Sequence, residues 1–154
     1  MIRRMALVAI AGGVIAACAP PAEQQNQPDP TVAQVTINAA GDANPDPTGR
    51  PSPSVVFLYA LKPGAPFPTA SFEVLGGGEI TEMAETTKRI AKLVLVPGKT
   101  SKKIFELPDG TSDIGIVVSY RDIDQAKWRS SAPVVKGEVT LLTASIGSNA
   151  VKIE

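Results

Sequence analysis

Few residues of this 154-residue chain could carry chemistry, and a single cysteine is the first of them. The chain contains no histidine, so it lacks the usual base of serine and cysteine nucleophiles and the commonest ligand of zinc and copper sites. Cys18 is the only thiol and cannot form an intramolecular disulfide. We therefore expect no enzymatic activity, no metal site and no conventional cofactor.

The residues before the cysteine have the layout of a signal peptide. Arg3 and Arg4 precede an almost wholly apolar run from Met5 to Ala17. This run is shorter than the roughly 20 apolar residues that span a membrane, and a polar, proline-rich segment follows it at once. We therefore predict a cleaved signal peptide over residues 1–17.

The segment Ile15 to Cys18 resembles the lipobox of bacterial lipoproteins. The resemblance implies that Cys18 becomes the first residue and carries a diacylglycerol and an N-acyl chain. Two or more acyl chains hold a protein stably at a membrane, whereas one holds it only marginally. Because Ala19 follows where an Asp would resemble an inner-membrane retention signal, the expected location is the periplasmic face of the outer membrane. An unmodified cysteine in an ordinary signal is the alternative.

Composition limits the partners and the number of domains. The 15 basic and 15 acidic residues balance, and loss of Arg3 and Arg4 leaves the mature chain slightly acidic, which gives no reason to expect nucleic-acid binding. Four prolines and few apolar residues predict an extended tether over residues 18–30. The remaining residues, 31–154, suit a single domain.

Alternating apolar residues and turn signals divide this domain into short strands. Val35, Ile37 and Ala39 alternate with polar residues, which is typical of a half-buried strand. The predicted strands lie within residues 31–40, 54–61, 89–96, 100–107, 112–120, 131–135, 137–145 and 149–154. Eight such strands predict an all-β antiparallel sandwich, in which Pro133 places its strand at an edge.

A partly helical insertion is predicted between the second and third strands. Thr69 or Ser71 could cap a short helix, the glycines Gly76 to Gly78 would end it, and residues 79–87 could add a further turn. No Lys-Ser or Lys-Thr follows these glycines, so we interpret them as a connector and not as a phosphate loop.

Three charged clusters have both a functional and a structural interpretation. Asp122 and Asp124 could be paired carboxylates, but without partner groups they are better explained as surface charges, with Arg121, Lys127 and Arg129, around a turn above Trp128. Asp42, Asn44 and Asp46 alternate as in a calcium loop, yet Pro45 and Pro47 interrupt them and the required glycine and glutamate are missing. Basic residues gather around a predicted hairpin, either as a binding patch or as protection of an exposed strand; they are Lys88, Arg89, Lys92, Lys99, Lys102 and Lys103.

The proline-rich loop from Gly41 to Pro53 is longer than a connection between two strands requires. Prolines reduce the entropy that a loop loses on docking, which favours recognition. The alternative is a crossover between two sheets. We expect the apolar faces of strands 54–61 and 112–120 to be used by the core, which would leave the loop as the main surface for a partner.

Several short motifs together resemble the TssJ/SciN (VasD) family of type VI secretion lipoproteins. They are Asn44, the segment Gly49 to Pro53, Leu61, the segment Phe67 to Leu75, Pro97-Gly98, Arg121-Asp122 and Trp128-Arg129. The resemblance implies a transthyretin-like sandwich of two four-stranded sheets with a helical addition.

The resemblance also implies a function. Members of this family anchor the TssJLM-type membrane complex to the outer membrane by binding the periplasmic C-terminal region of TssM, with the loop between the first two strands as a contact. Carried onto this chain, the contact comprises the outer part of the loop: Asp42, Ala43, Asn44, Pro45, Asp46 and Pro47. A different lipoprotein binding module, such as a pilotin or a glycan-binding sandwich, is the alternative.

Overall fold

Two four-stranded β-sheets pack face to face in the computed structural model, which describes residues 29–154. The strands are β1 (Val32–Ala39), β2 (Ser54–Leu61), β3 (Thr87–Leu95), β4 (Thr100–Glu106), β5 (Asp113–Ser119), β6 (Arg129–Pro133), β7 (Val139–Ile146) and β8 (Val151–Ile153). The predicted signal peptide, Cys18 and the tether as far as residue 28 lie outside the described residues. Within residues 29–154, no helix has the length and apolar character needed to cross a membrane.

The strand order confirms the predicted sandwich and refines its topology. One sheet, here called sheet A, has the order β4-β1-β7-β8, and the other, sheet B, has the order β3-β2-β5-β6. Every pair is antiparallel except β1 and β7, which run parallel from Val32 beside Val139 to Ala39 beside Ile146. Since most of the chain separates these two strands, no tight turn forces them to run in opposite directions.

The core between the sheets follows from the alternation on β1. Ala33, Val35, Ile37 and Ala39 are buried, whereas the residues between them are partly exposed. They face the inward side chains of the opposite sheet, which are Val56, Leu58 and Ala60 on β2 and Ile114, Ile116 and Val118 on β5. The alternate side chains of β1 and the inward side chains of β2 and β5 therefore form one continuous apolar layer between the sheets.

The second strand is buried on both faces, as its unbroken apolar sequence predicts. The outward side chains of Phe57, Tyr59 and Leu61 form a second apolar cluster with Phe67 and Leu75. The helical insertion covers this cluster through α1 (Phe72–Leu75), which begins after Ser71 and ends at Gly76, and through a 3-10 turn at Thr81–Met83. Ser71 occupies the predicted cap position, but its side chain makes no capping hydrogen bond.

Arg89 fastens the insertion to sheet B. Its guanidinium lies 5.2 Å from the Phe57 ring centroid, and it donates hydrogen bonds to the Tyr59 hydroxyl at 3.0 Å and to the Gly78 carbonyl at 2.8 Å. The Tyr59 hydroxyl in turn donates to the Leu75 carbonyl. Arg89 therefore holds the glycine segment in place, and the predicted role of this residue in a surface basic patch is wrong.

Two other predictions about charged residues also need correction. Arg129 is not a free surface charge, because it donates to the Phe67 and Ala70 carbonyls and its guanidinium lies 4.5 Å from the Trp128 ring centroid. Burial lowers the pKa of this guanidinium. The predicted basic hairpin does not exist either, since β3 belongs to sheet B and β4 to sheet A, and the chain crosses between the sheets at Pro97 to Lys99.

Gly115 on β5 lies directly under the insertion. A Cβ atom at this position would lie 2.7 Å from Cζ of Phe67 and 3.1 Å from Cδ1 of Leu61. The Phe67 ring is 2% exposed and has little room to withdraw. We predict that Gly115→Ala lowers the free energy of unfolding by about 1–3 kcal/mol through overpacking, as measured by urea titration.

Gly41→Ala is the matched control, because a Cβ there has no neighbour within 4 Å. The cost of Gly115→Ala should also shrink when Phe67 is replaced by Leu, since the two substitutions share one contact. Equal effects of Gly115→Ala and Gly41→Ala would contradict this account of the packing.

Candidate functional site

The loop from Gly41 to Pro53 borders a groove at one end of the sandwich. Two other segments complete the groove, one after β5 and one after β7, because β1, β5 and β7 all finish at this end. The groove has a volume of about 530 Å³. Its walls are Asn44, Pro45, Asp46, Pro47, Tyr120, Arg121, Asp122, Ser148 and Asn149.

Asn44 fixes the loop to the body of the sandwich. Its side chain is 3% exposed, accepts a hydrogen bond from the Arg121 backbone amide at 2.7 Å and donates to the Pro53 carbonyl at 3.1 Å. Its φ of 50° lies in the left-handed region, which asparagine tolerates better than most residues. One side chain therefore joins the start of the loop, its end and the segment after β5.

Asp46 shapes the tip of the loop. Its carboxylate accepts hydrogen bonds from the Thr48 hydroxyl at 2.6 Å, from the Thr48 amide at 2.9 Å and from the Arg50 amide at 3.1 Å. Its other oxygen lies 3.2 Å from Nε of Arg50. The Thr48 hydroxyl and then the Arg50 amide stabilise the ionised form, which lowers the pKa of Asp46 to about 2. The ionised carboxylate is therefore the form that accepts these hydrogen bonds at neutral pH.

The structure divides the six loop residues named from the sequence into two groups. The side chains of Ala43 and Asn44 are 1% and 3% exposed, so they support the loop from inside. Asp42 and Pro47 are exposed, whereas Pro45 and Asp46 are partly exposed. The surface that a partner could touch is thus formed by Asp42, Pro45, Asp46 and Pro47.

The calcium interpretation of this loop has no geometric support among the described residues. Asn44 and Asp46 direct their oxygens at donors within the protein, as described above. Within residues 29–154, no three His, Cys, Asp or Glu side chains converge as metal ligands would.

Sequence reasoning missed the other wall of the groove. Tyr120 is 7% exposed, and its hydroxyl has no hydrogen-bond partner among residues 29–154. Burial raises the pKa of this hydroxyl. Arg121, Asp122, Ser148 and Asn149 are exposed around it. The sequence marked Arg121 and Asp122 as part of a family motif, but it did not connect them with the loop or with Ser148 and Asn149. The direction of the strands that precede these segments had to be known before the segments could be placed together.

The two other candidates from the sequence are the carboxylates Asp122 and Asp124 and the glycines Gly76 to Gly78. Asp122 borders the groove, but Asp124 does not line it, so the two do not form one acidic site there. Gly78 accepts a hydrogen bond from Arg89 and belongs to the insertion, which fits the interpretation of the three glycines as a connector.

Comparison with known proteins identifies relatives of the whole sandwich. Residues 31–154 match the family described as type VI secretion lipoprotein, VasD, EvfM, TssJ, VC_A0113. A search of curated proteins finds no significant match.

Solved structures provide the second comparison. The lipoprotein TssJ1 of Pseudomonas aeruginosa is 27% identical and superposes with a TM-score of 0.75, covering 81% of this chain and 95% of that one. Lip of Serratia marcescens, described as a membrane-bound component of the type VI secretion system, is 18% identical with a TM-score of 0.72, covering 81% and 96%. A chain described as T6SS protein TssM C-terminal domain from EAEC is 21% identical with a TM-score of 0.63, covering 80% and 98%.

Asn44→Ala should lower the free energy of unfolding by about 2 kcal/mol or more, because it leaves the Arg121 amide and the Pro53 carbonyl without their partner. Asn149→Ala, on the same groove but exposed, should change it by less than about 0.5 kcal/mol. Asn44→Gly removes both hydrogen bonds but tolerates the positive φ, so it separates the bonding cost from the backbone cost. Urea titration gives the free energy of unfolding of each variant. If Asn44→Ala and Asn149→Ala lowered it by similar amounts, the anchoring role of Asn44 would be contradicted.

Proposed function

This chain belongs to the type VI secretion lipoprotein family, and on that basis we propose that it anchors the secretion complex to the outer membrane by binding the periplasmic C-terminal region of TssM. The observation that carries this proposal is the family match over the whole sandwich. Similar solved structures include a chain described as a type VI membrane complex and one described as the TssM C-terminal domain. We propose a binding role and not a catalytic one.

The geometry of the loop supports a role in docking. Asn44 holds the loop by hydrogen bonds to Pro53 at its end and to Arg121 after β5, and Asp46 holds its tip through Arg50. Pro45 and Pro47 restrict its backbone. A partner that binds this loop would therefore lose little conformational entropy in ordering it. Asp42, Pro45 and Pro47 offer short side chains beside a groove that could receive a protruding segment of TssM.

The placement of the loop also suits an anchor. The tether leads into β1 at Val32, whereas the loop follows the other end of that strand at Ala39. At about 3.3 Å per residue, the seven steps from Val32 to Ala39 separate the two ends by roughly 23 Å. The acylated Cys18 would hold the tether end near the membrane and leave the loop at the far end of β1 from this attachment.

We predict that replacing Asp42, Pro45 and Pro47 together by glycine or serine weakens TssM binding by at least about tenfold, equivalent to 1.4 kcal/mol, as measured by calorimetry. Ala43 and Asn44 are left unchanged because they are buried. Asp46 is left unchanged because it holds the tip of the loop.

In the matched control, glycine or serine replaces Pro108 and Asp109, which follow β4 at the opposite end of the sandwich. Both variants should unfold near the wild-type temperature, and only the loop variant should lose affinity. Unchanged affinity of a folded loop variant would place the contact elsewhere, and the lysines Lys99 to Lys103 would be tested next.

Cys18→Ser should block acylation and release the protein from the membrane without unfolding it, since the thiol is the only attachment point proposed for lipid. Labelling of cells with a palmitate analogue, followed by separation of inner and outer membranes, measures both effects. Retention of the unlabelled variant in the outer membrane would contradict the anchor, and recovery of the labelled wild type in the inner membrane would contradict the location.

A further inference from the structure

The outer face of sheet A carries an exposed apolar surface at the end where the tether enters. Ile104, Val139 and Leu141 are 66%, 63% and 67% exposed. They come from β4 and β7, on either side of β1, where no exposed apolar surface was predicted. We call these three residues, with Val32 and Gln34 between them, the apolar patch.

Strand register places these residues in adjacent rows. In the first row Val32 lies beside Val139, and in the second Gln34 lies between Ile104 and Leu141. The face then becomes polar, since Thr36 lies between Lys102 and Thr143 in the third row. The apolar character is therefore confined to the end of the sheet nearest the tether.

We propose that the apolar patch rests on the lipid surface of the membrane to which the chain is anchored, an inference that depends on the proposed acylation of Cys18. Lys102 lies one row, about 7 Å along the strand, beyond Ile104. With the face of the sheet turned toward the lipid, the three rows lie at similar depths, so the Lys102 amine could reach phosphate groups while its apolar neighbours contact the region just below them. Glu106, on the β4 edge of the first row, keeps this contact at the membrane interface.

The tether makes such a small contact sufficient. Thirteen residues separate Cys18 from Val32, so the acyl chains keep the apolar patch at an effective concentration of about millimolar near the membrane surface. A contact too weak to recruit a free protein would be occupied most of the time at that concentration.

Other occupants fit the apolar patch less well. Residues 19–28 contain no Val, Leu, Ile, Met or aromatic side chain with which to cover it. A stable dimer buries about 800 Å² on each partner, which exceeds what three exposed aliphatic side chains and their immediate neighbours present. Membrane lipid requires neither a matching shape nor a large area.

Site-directed spin labelling of the lipidated protein in phosphatidylethanolamine and phosphatidylglycerol vesicles tests the proposal. Because Cys18 would be the only native thiol and is acylated, a label can be attached to Gln34→Cys in the apolar patch or to Ser131→Cys, an exposed position on β6 in the other sheet. We expect the label at position 34 to collide with oxygen, which concentrates in lipid, more than with a water-soluble nickel chelate. The label at position 131 should show the opposite preference.

A double variant, Ile104→Ser with Leu141→Ser, should abolish the oxygen preference at position 34 while the protein still floats with the vesicles. Val94→Ser, which alters a 64% exposed residue of sheet B, should leave that preference unchanged. All three side chains are exposed, so these variants should keep their urea midpoints.

If the protein floats with the vesicles but the labels at positions 34 and 131 both collide mainly with the nickel chelate, the lipid contact of the apolar patch is overturned and the anchor is not. Dipolar broadening between labels at position 34, with protection from both reagents, would identify a second copy as the occupant and would also overturn it. Failure of the wild type to float would overturn the anchor itself and this inference with it.

Discussion

The burial of β2 on both faces is the constraint on which the rest of the structure depends. One face supplies Val56, Leu58 and Ala60 to the layer between the sheets, and the other presents Phe57, Tyr59 and Leu61 outward. A sandwich has no third sheet to cover that second face, so the chain covers it with the helical insertion. Because α1 has only four residues, it cannot be stable as an isolated helix and must be held by tertiary contacts. Arg89 and Arg129 provide these contacts through hydrogen bonds to Gly78, Phe67 and Ala70.

Hydrogen bonds from side chains also explain why the loop after β1 can be long and still be held in place. Both of its ends are tied to the sheets by Asn44, and its tip closes on Asp46. Polar side chains thus hold this loop as they hold the insertion, and they leave its outer surface free for contacts. The surfaces at the two ends of β1 differ accordingly, with a groove beside a hydrogen-bonded loop at one end and exposed aliphatic side chains at the other.

Sequence patterns predicted the strands well and the contacts between distant segments poorly. The bounds of β2 were predicted to the residue because Ser54 to Leu61 lies between a proline-rich loop and Lys62-Pro63-Gly64. The parallel pairing of β1 with β7 was not predicted, because neither periodicity nor turn chemistry records which remote strand becomes a neighbour. For the same reason Arg89 and Arg129 were taken for surface charges, and the burial of Ala43 and Asn44 was missed. The exposure of the aliphatic residues on β4 and β7 was not predicted, because apolar residues of an exposed sheet face look the same in sequence as buried ones.

The parallel pair at the centre of sheet A also determines when the fold can be completed. β1 is among the first parts of the domain to be synthesised, yet its central neighbour β7 is about 100 residues further along the chain. Closing so long a loop is entropically costly and slow, and it cannot begin until β7 has been synthesised. Until then, the buried residues of β1 have only β4 as a partner in their own sheet. A chain of this topology therefore keeps sheet A incomplete until nearly all of its residues are available, and during that interval one edge of β1 is open to pairing with another chain.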